Sequence, residues 1–220
     1  MDMRQRFVFD DRSAAGVLLA EKLLEYKSAR PLILALPRGG VPVAYEVAVR
    51  LDAPLDTVVV CKIGAPFNPE MGVGAVAPGS LVLDDPAIMQ LGLSKRDLDP
   101  IIVRETEEMQ RRKALYRSGA YVDVAAYDTI ILVDDGLATG VSARVAIESL
   151  RKNSPSKRLI FATPVCSSDG VDMIRNSVER VICVHEVDNF IAVGYWYREF
   201  EQTSDEEVIA LLERVNMLRS

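Results

Sequence analysis

Short runs of Val, Ile and Leu alternate along the chain with longer segments whose apolar residues recur at helical spacing. That alternation is the signature of parallel strands joined by crossover helices, so the fold class is α/β, a mainly parallel sheet with helices on both faces. Buried strands are expected over 32–36, 57–63, 130–133, 159–163 and 181–184. Helices are expected over 41–51, 141–151 and 171–177, with a C-terminal helix over 204–219. An opening helix over 13–26 sets Val17, Leu18, Leu23 and Leu24 near one face, with Asp10, Asp11 and Ser13 available as caps.

One stretch breaks the rhythm, an insertion at about 63–119 between two strands. Its first part, GAPFNPEMGVGAVAPGS, is dense in Gly and Pro and leads into SLVLDD. A mobile loop followed by a β-hairpin across 77–80 is expected there. Its second part, 95–117, is charged and helical. The run RETEEMQRRK suits a nucleic-acid or partner helix, but alternating signs at i,i+4 spacing favour a solvated face.

Composition narrows the class. Across 220 residues, 49% hydrophobic and 26% charged is the make-up of a globular chain, read as a single domain over 1–220. The 26 basic against 32 acidic residues leave a net charge of −6, which disfavours nucleic acid as a partner. No run is long and apolar enough for a membrane span, and the opening MDMRQRFVFDDRSAAG has no secretory pattern. Cys61, Cys166 and Cys183 are an odd set without CxxC spacing, and His185 is the lone histidine. A reducing cytoplasm and no protein-built metal site are expected.

The most informative string is TIILVDDGLATGVSARVAI, residues 129–147: an apolar strand, two acids, a glycine-bearing loop and a new helix. Loop glycines allow backbone amides to converge, and the helix start adds unpaired amides and a positive dipole end, which together favour a phosphate at Leu137, Ala138, Thr139, Gly140, Val141 and Ser142. Asp134 and Asp135 precede that cradle and would face the sugar of a ligand whose phosphate fills it. One of the two acids could instead be structural, since alternate strand residues face opposite sides. An ordinary strand-to-helix turn is the plainer reading of the whole string. The Walker and Rossmann spacings are both absent.

The string resembles the phosphoribosyl pyrophosphate (PRPP) binding motif of type I phosphoribosyltransferases. LILALPRGGVPVAYEVA, residues 32–48, is similar to the same family's pyrophosphate-binding loop. The runs FDDRSAAGVLLAEKL, CKIGAPFNPEMGVGAV and YREFEQTSDEEVIALL extend the likeness to a bacterial phosphoribosyltransferase-like branch, some of whose members are fused to a hydrolase of dienelactone type. The resemblance implies neighbouring pyrophosphate-loop and PRPP-loop strands, an antiparallel strand from the flexible-loop hairpin, and a small hood at about 186–203. It implies pyrophosphate binding by Pro37, Arg38, Gly39, Gly40 and Lys62, although Lys62 reads equally as an exposed strand-end lysine. Asp134, Asp135 and Arg38 would serve catalysis. Glu70 would be an acid or base after loop closure, or simply an exposed loop glutamate.

Phe190, Tyr195 and Trp196 would line an acceptor pocket, or with Tyr197 form the hood's own core. His185 would follow the last core strand near that hood. Ala138 stands where 6-oxopurine phosphoribosyltransferases carry a third acid, so the resemblance does not extend to hypoxanthine or guanine as substrates. The implied activity is Mg²⁺-dependent transfer of the 5-phosphoribosyl group of PRPP to a small-molecule nitrogen acceptor, Mg²⁺ arriving through PRPP rather than through protein ligands. A homodimer is the expected assembly. A non-catalytic PRPP or nucleotide sensor on the same fold, and hydrolysis with water as acceptor, are the alternatives.

Overall fold

Every residue of β1 (Leu32–Ala35) and β6 (Thr129–Val133) is buried, and the two strands lie side by side in parallel with Ile33 against Ile131 and Ala35 against Val133. They form the middle of the sheet in a computed structural model that describes residues 8–116, 123–153 and 157–219. Before β1 comes α1 (Arg12–Leu23), continued by a 3₁₀ segment, Leu24–Ala29. After it come α2 (Gly40–Leu51) and β2 (Leu55–Thr57). The insertion holds β3 (Cys61–Ala65), β4 (Asn68–Ala77), β5 (Ser80–Leu83), α3 (Asp85–Gln90) and α4 (Lys95–Leu115). Beyond β6 run α5 (Val141–Asn153), β7 (Arg158–Ser167), α6 (Ser168–Ile174), β8 (Arg180–Val187) and α7 (Asp205–Leu218).

The parallel sheet has the order β2-β1-β6-β7-β8. Chain progression runs outward in opposite directions from β1 and from β6, so the junction between them is the topological switch point, where open α/β sheets place ligands at the strands' carboxyl ends. Alternate residues feed opposite layers. Ile33 and Ile131 join a core with Leu19, Val43 and Leu212 under α1, α2 and α7, while Leu34 and Leu132 join Ile147 and Phe161 under α5 and α6.

Several expectations change. The run 57–63 is not one strand: β2 ends at Thr57 and β3 begins at Cys61 in a separate three-stranded antiparallel sheet, β3-β4-β5. The hairpin across Ala77 and Ser80 is present, but its antiparallel strands do not extend the parallel sheet. The segment expected to be a loop is largely β4, laddered on both edges. Residues 73–77 are all buried, Val76 against the main core and Ala75 and Ala77 against Val145 of α5. Val73 packs with Ile63, Ala65 and Leu98 of α4 in a small core of the insertion's own, and the insertion's end at 117–119 lies outside the described residues.

The opening helix buries Ala15, Gly16, Leu19, Ala20 and Leu23, whereas Val17, Leu18 and Leu24 are exposed. Small residues decide this face. Gly16 comes so close to α2 that a β-carbon on it would lie 2.7 Å from the Val43 carbonyl oxygen. Asp11 is the cap, accepting from Ala14 N at 2.7 Å. On α4 only Leu98 and Met109 are buried, and Glu108 pairs with Arg111 and Arg112, Arg111 also lying 3.6 Å from Asp205 at the start of α7. His185 lies within β8 rather than beyond it.

Candidate active site

At the end of β1 the chain turns through Pro37, Arg38 and Gly39 into α2, whose first residue is Gly40. The Pro37–Arg38 peptide is cis. At the end of β6 it passes through Asp134 and Asp135. The two turns are in contact. A β-carbon on Gly39 would fall 2.1 Å from Asp135 Oδ2, and one on Gly40 would fall 2.9 Å from the Val133 carbonyl oxygen. Glycine at both positions is what lets the two loops share one crevice.

Both acids are half-buried. Asp134 Oδ1 accepts from the Asp135 amide at 2.9 Å. Burial first, and the neighbouring Asp135 carboxylate second, hold Asp134 well above the ordinary carboxylate range. Burial also pushes Asp135 up, opposed by Arg12, whose Nε donates to Asp135 Oδ2 at 2.8 Å. The Tyr197 hydroxyl donates to the Asp135 carbonyl at 2.6 Å, fixing the backbone beneath it.

The predicted phosphate cradle follows. Leu137 is buried and pairs with Cys166 of β7. Ala138 offers its carbonyl to the Ser167 hydroxyl, which accepts in turn from Gly170 N at 2.9 Å. Gly140 has φ +77°, and a β-carbon there would lie 3.0 Å from the Gly170 carbonyl oxygen. Val141 then opens α5, and the side chains of Thr139 and Ser142 are exposed beside this helix start. The loop is thus shaped by α6 and β7, while its hydroxyls stay open to a ligand.

Other candidates are less tightly gathered. Arg38 turns toward the start of α7, its Nη1 lying 3.7 Å from Asp205 Oδ1. Asp205 accepts from the Tyr116 hydroxyl at 2.6 Å and has Arg111 Nη2 3.6 Å away. The tyrosine bond, chiefly, holds Asp205 below the usual carboxylate range. Lys62 is the second residue of β3 rather than the end of a central strand. Its exposed side chain lies across Gly72, where a β-carbon would sit 2.8 Å from Lys62 Cε. Glu70 belongs to β4, and its side chain lies outside the described residues.

In the hood, Trp196 is buried in a cluster with Phe9, Ala15, Val165 and Tyr197, so its ring is structural. Phe190 packs at its edge with ring centroids 6.5 Å apart, and Tyr195, 47% exposed, meets it edge-on at 6.1 Å. The hood is stitched to the N-terminal segment by Phe9 N donating to the Trp196 carbonyl at 2.8 Å and Arg198 N to the Phe9 carbonyl at 2.9 Å. Gly136 ties the acid loop to it, since a β-carbon there would lie 2.5 Å from Val193 Cγ1. Arg12, Tyr197, Ser167 and Asp205 are supporting residues of the site to which the sequence assigns no role there; Arg12, Tyr197 and Asp205 lie within the runs that carry the family likeness. Among the described residues no three His, Cys, Asp or Glu side chains gather to hold a metal, and no helix is long and apolar enough to cross a membrane.

The arrangement therefore sets a glycine loop at a helix start, a second glycine loop with an arginine, and two acids between them at the switch point of the sheet. Comparison with known proteins gives the family. The family model for the phosphoribosyl transferase domain matches residues 12–199. Two Mycobacterium tuberculosis proteins, from strains CDC 1551 and H37Rv and provisionally named phosphoribosyl transferases, are each 39% identical over 210 residues, covering 95% of this chain and 47% of their own. The chain thus spans about half the length of these curated relatives. The crystal structure of TT1426 from Thermus thermophilus superposes with a TM-score of 0.73 at 37% identity, covering 94% of this chain and 99% of that one. The chain belongs to the phosphoribosyl transferase domain family, whose enzymes catalyse pentosyl transfer.

Proposed function

We propose that this chain transfers the 5-phosphoribosyl group of PRPP to a nitrogen acceptor and releases pyrophosphate. The observation that carries this is the contact of Gly39 with Asp135, which joins the pyrophosphate-loop and acid-loop turns into one site. The 5′-phosphate would sit on the backbone of Leu137, Ala138, Thr139, Gly140, Val141 and Ser142, with the Thr139 and Ser142 hydroxyls as extra donors. Pro37, Gly39 and Gly40 would let pyrophosphate approach the backbone, and Arg38, with Lys62 from the β3–β4 sheet, would supply charge once it leaves Asp205.

In the reaction the bond from C1′ to the pyrophosphate oxygen breaks, its electron pair leaving with pyrophosphate, while the acceptor nitrogen forms the new bond to C1′ and gives its proton to solvent or to a base. The protein's share is positioning and charge. Asp134 and Asp135 would orient the ribose hydroxyls, and the Asp135 carboxylate, paired with Arg12, would offset positive charge at C1′. Glu70, on the β4 strand, is the candidate acid or base.

Mg²⁺ fits this site as a companion of PRPP. No protein ligand is assigned to it: Asp135 Oδ2 is taken by Arg12 and the acids would face the ribose hydroxyls, so the hard oxygens of PRPP itself would hold the ion. When bound it neutralises the leaving pyrophosphate. On the acceptor side, Tyr195 and Phe190 are the rings able to stack a planar base, Trp196 serving beneath them. Ala138 leaves no carboxyl before Thr139 to recognise a 6-oxopurine. A cytoplasmic homodimer is the setting that suits such an enzyme.

The test is pyrophosphate release from Mg²⁺–PRPP with a panel of nitrogen acceptors and a no-acceptor control. Release that depends on one acceptor class supports transfer. Release without any acceptor identifies a hydrolase, and PRPP binding without release identifies a sensor.

A further inference from the structure

Arg12 opens α1 yet reaches the acid pair on the far side of the sheet's switch point. Its Nε donates to Asp135 Oδ2 at 2.8 Å and its Nη1 to the Glu201 carbonyl at 2.7 Å, while its guanidinium carbon lies 3.8 Å from the centroid of the Phe200 ring. The side chains of Arg12 and Asp135 are 12% and 14% exposed. Gly39 covers the ion pair itself, since a β-carbon there would come 2.1 Å from Oδ2 and 3.2 Å from Arg12 Nε. An arginine held by an ion pair, a carbonyl and a ring face is a fixed part of the site rather than a mobile surface counter-ion.

We propose that Arg12 is a positioning residue for ribose recognition, holding Oδ2 of Asp135 in place and supplying the counter-charge that a buried carboxylate needs, so that the carboxylate is presented to a sugar hydroxyl. This rests on the phosphoribosyl-transfer assignment. A buried carboxylate in a crevice is costly without a cation, and the groups facing Asp135 show which cation answers. Asp134 beside it is held protonated and hydrogen-bonds the Asp135 carboxylate, the Tyr197 hydroxyl from the hood serves its carbonyl, and the loop after β1 presents uncharged Gly39 while Arg38 points to Asp205. Arg12 from α1 is the counter-ion. Through Glu201 and Phe200 it also ties Asp135 to the end of the hood.

The test compares wild type, Arg12→Gln and Arg12→Lys in two measurements on the whole chain. The first is Mg²⁺–PRPP affinity by calorimetry from about pH 5 to about pH 8.5. Arg12→Gln loses both the hold and the charge, so it should bind more weakly at every pH with a further loss toward the acid end, about tenfold for each pH unit by which the acid limb rises. Arg12→Lys keeps the charge but not the three-way hold, so it should retain the acid limb with weaker binding at every pH. The second, without PRPP, follows the carboxyl carbons of the Asp134–Asp135 pair by NMR; their titration should move to higher pH in Arg12→Gln. A folded Arg12→Gln with the wild-type titration, or with the same affinity loss at every pH, would overturn the proposal. If Arg12→Gln does not fold, Arg12→Lys decides, an acid limb displaced from wild type counting against it. Wild-type protein that binds no PRPP at any pH would instead defeat the phosphoribosyl assignment and the ribose role with it, and the carboxyl titration would still judge the Arg12–Asp135 hold.

Discussion

Gly39 and Asp135 touch: a β-carbon on the glycine would overlap the Asp135 carboxylate at 2.1 Å from Oδ2. Adding that carbon must displace either the acid or the pyrophosphate loop. Gly39→Ala should therefore cost about 1–3 kcal/mol as overpacking does elsewhere, and PRPP affinity should fall by roughly 5- to 150-fold. Calorimetry with Mg²⁺–PRPP checks this, and unchanged affinity would mean that the two loops do not act together.

Tyr197→Phe removes the hydroxyl that holds the Asp135 carbonyl at 2.6 Å. A neutral hydrogen bond contributes about 0.5–1.5 kcal/mol, and for a chain of this size each kcal/mol shifts melting by about 2–4 °C. Thermal melts should show that small loss, and PRPP affinity should also drop if Asp135 holds the ribose as proposed, because the bond lies directly under that acid.

Much of the frame is legible in the sequence, and the reasons differ by element. The strands at 32–36 and 130–133 can be read because they are buried on both faces and so appear as unbroken apolar runs. The acid and glycine loops can be read because their chemistry is local in the chain. Arg12 cannot be assigned a role that way, since its partner Asp135 is distant in sequence and an arginine at a helix start looks like any surface charge. Trp196 is ambiguous because a core ring and a stacking ring have the same composition; burial beside Phe9 and Val165 makes it core. The opening helix misleads at Val17, Leu18 and Leu24 because side-chain size is a poor mark of burial there: the close approach to α2 selects Ala15, Gly16 and Ala20.

Asp134 gives a pH-dependent prediction. Its folded carboxyl is held above its ordinary value of 3.8, chiefly by burial, so the native state keeps its proton where the unfolded chain has released it. Stability from this group is complete below about pH 3.8 and is lost as pH rises through the folded value. Asp134→Asn retains the acceptor for the Asp135 amide but cannot ionise. Its Tm should exceed that of wild type at pH 8 by a few degrees, and the advantage should shrink toward pH 4. A gain that is the same at every pH would contradict the burial of this acid.

The phosphate loop separates backbone from hydroxyl contributions. Thr139→Ala should weaken PRPP by about 0.5–1.5 kcal/mol, one neutral hydrogen bond. Gly140→Val should be far worse, because φ is +77° and a β-carbon would already meet the Gly170 carbonyl oxygen at 3.0 Å. Calorimetry on both variants checks the order, and wild-type affinity in both would move the phosphate elsewhere.

The most direct test of phosphoribosyl transfer at this crevice is to measure turnover and PRPP affinity together in wild type and Asp135→Asn, using pyrophosphate release with an acceptor found by the panel. The substitution preserves shape and removes the charge that would offset the developing cation at C1′. Turnover should fall by about a hundredfold or more, the scale on which electrostatic groups act in active sites, while PRPP affinity changes by much less. Normal turnover with normal affinity in Asp135→Asn would contradict the assignment of the ribose to this acid pair.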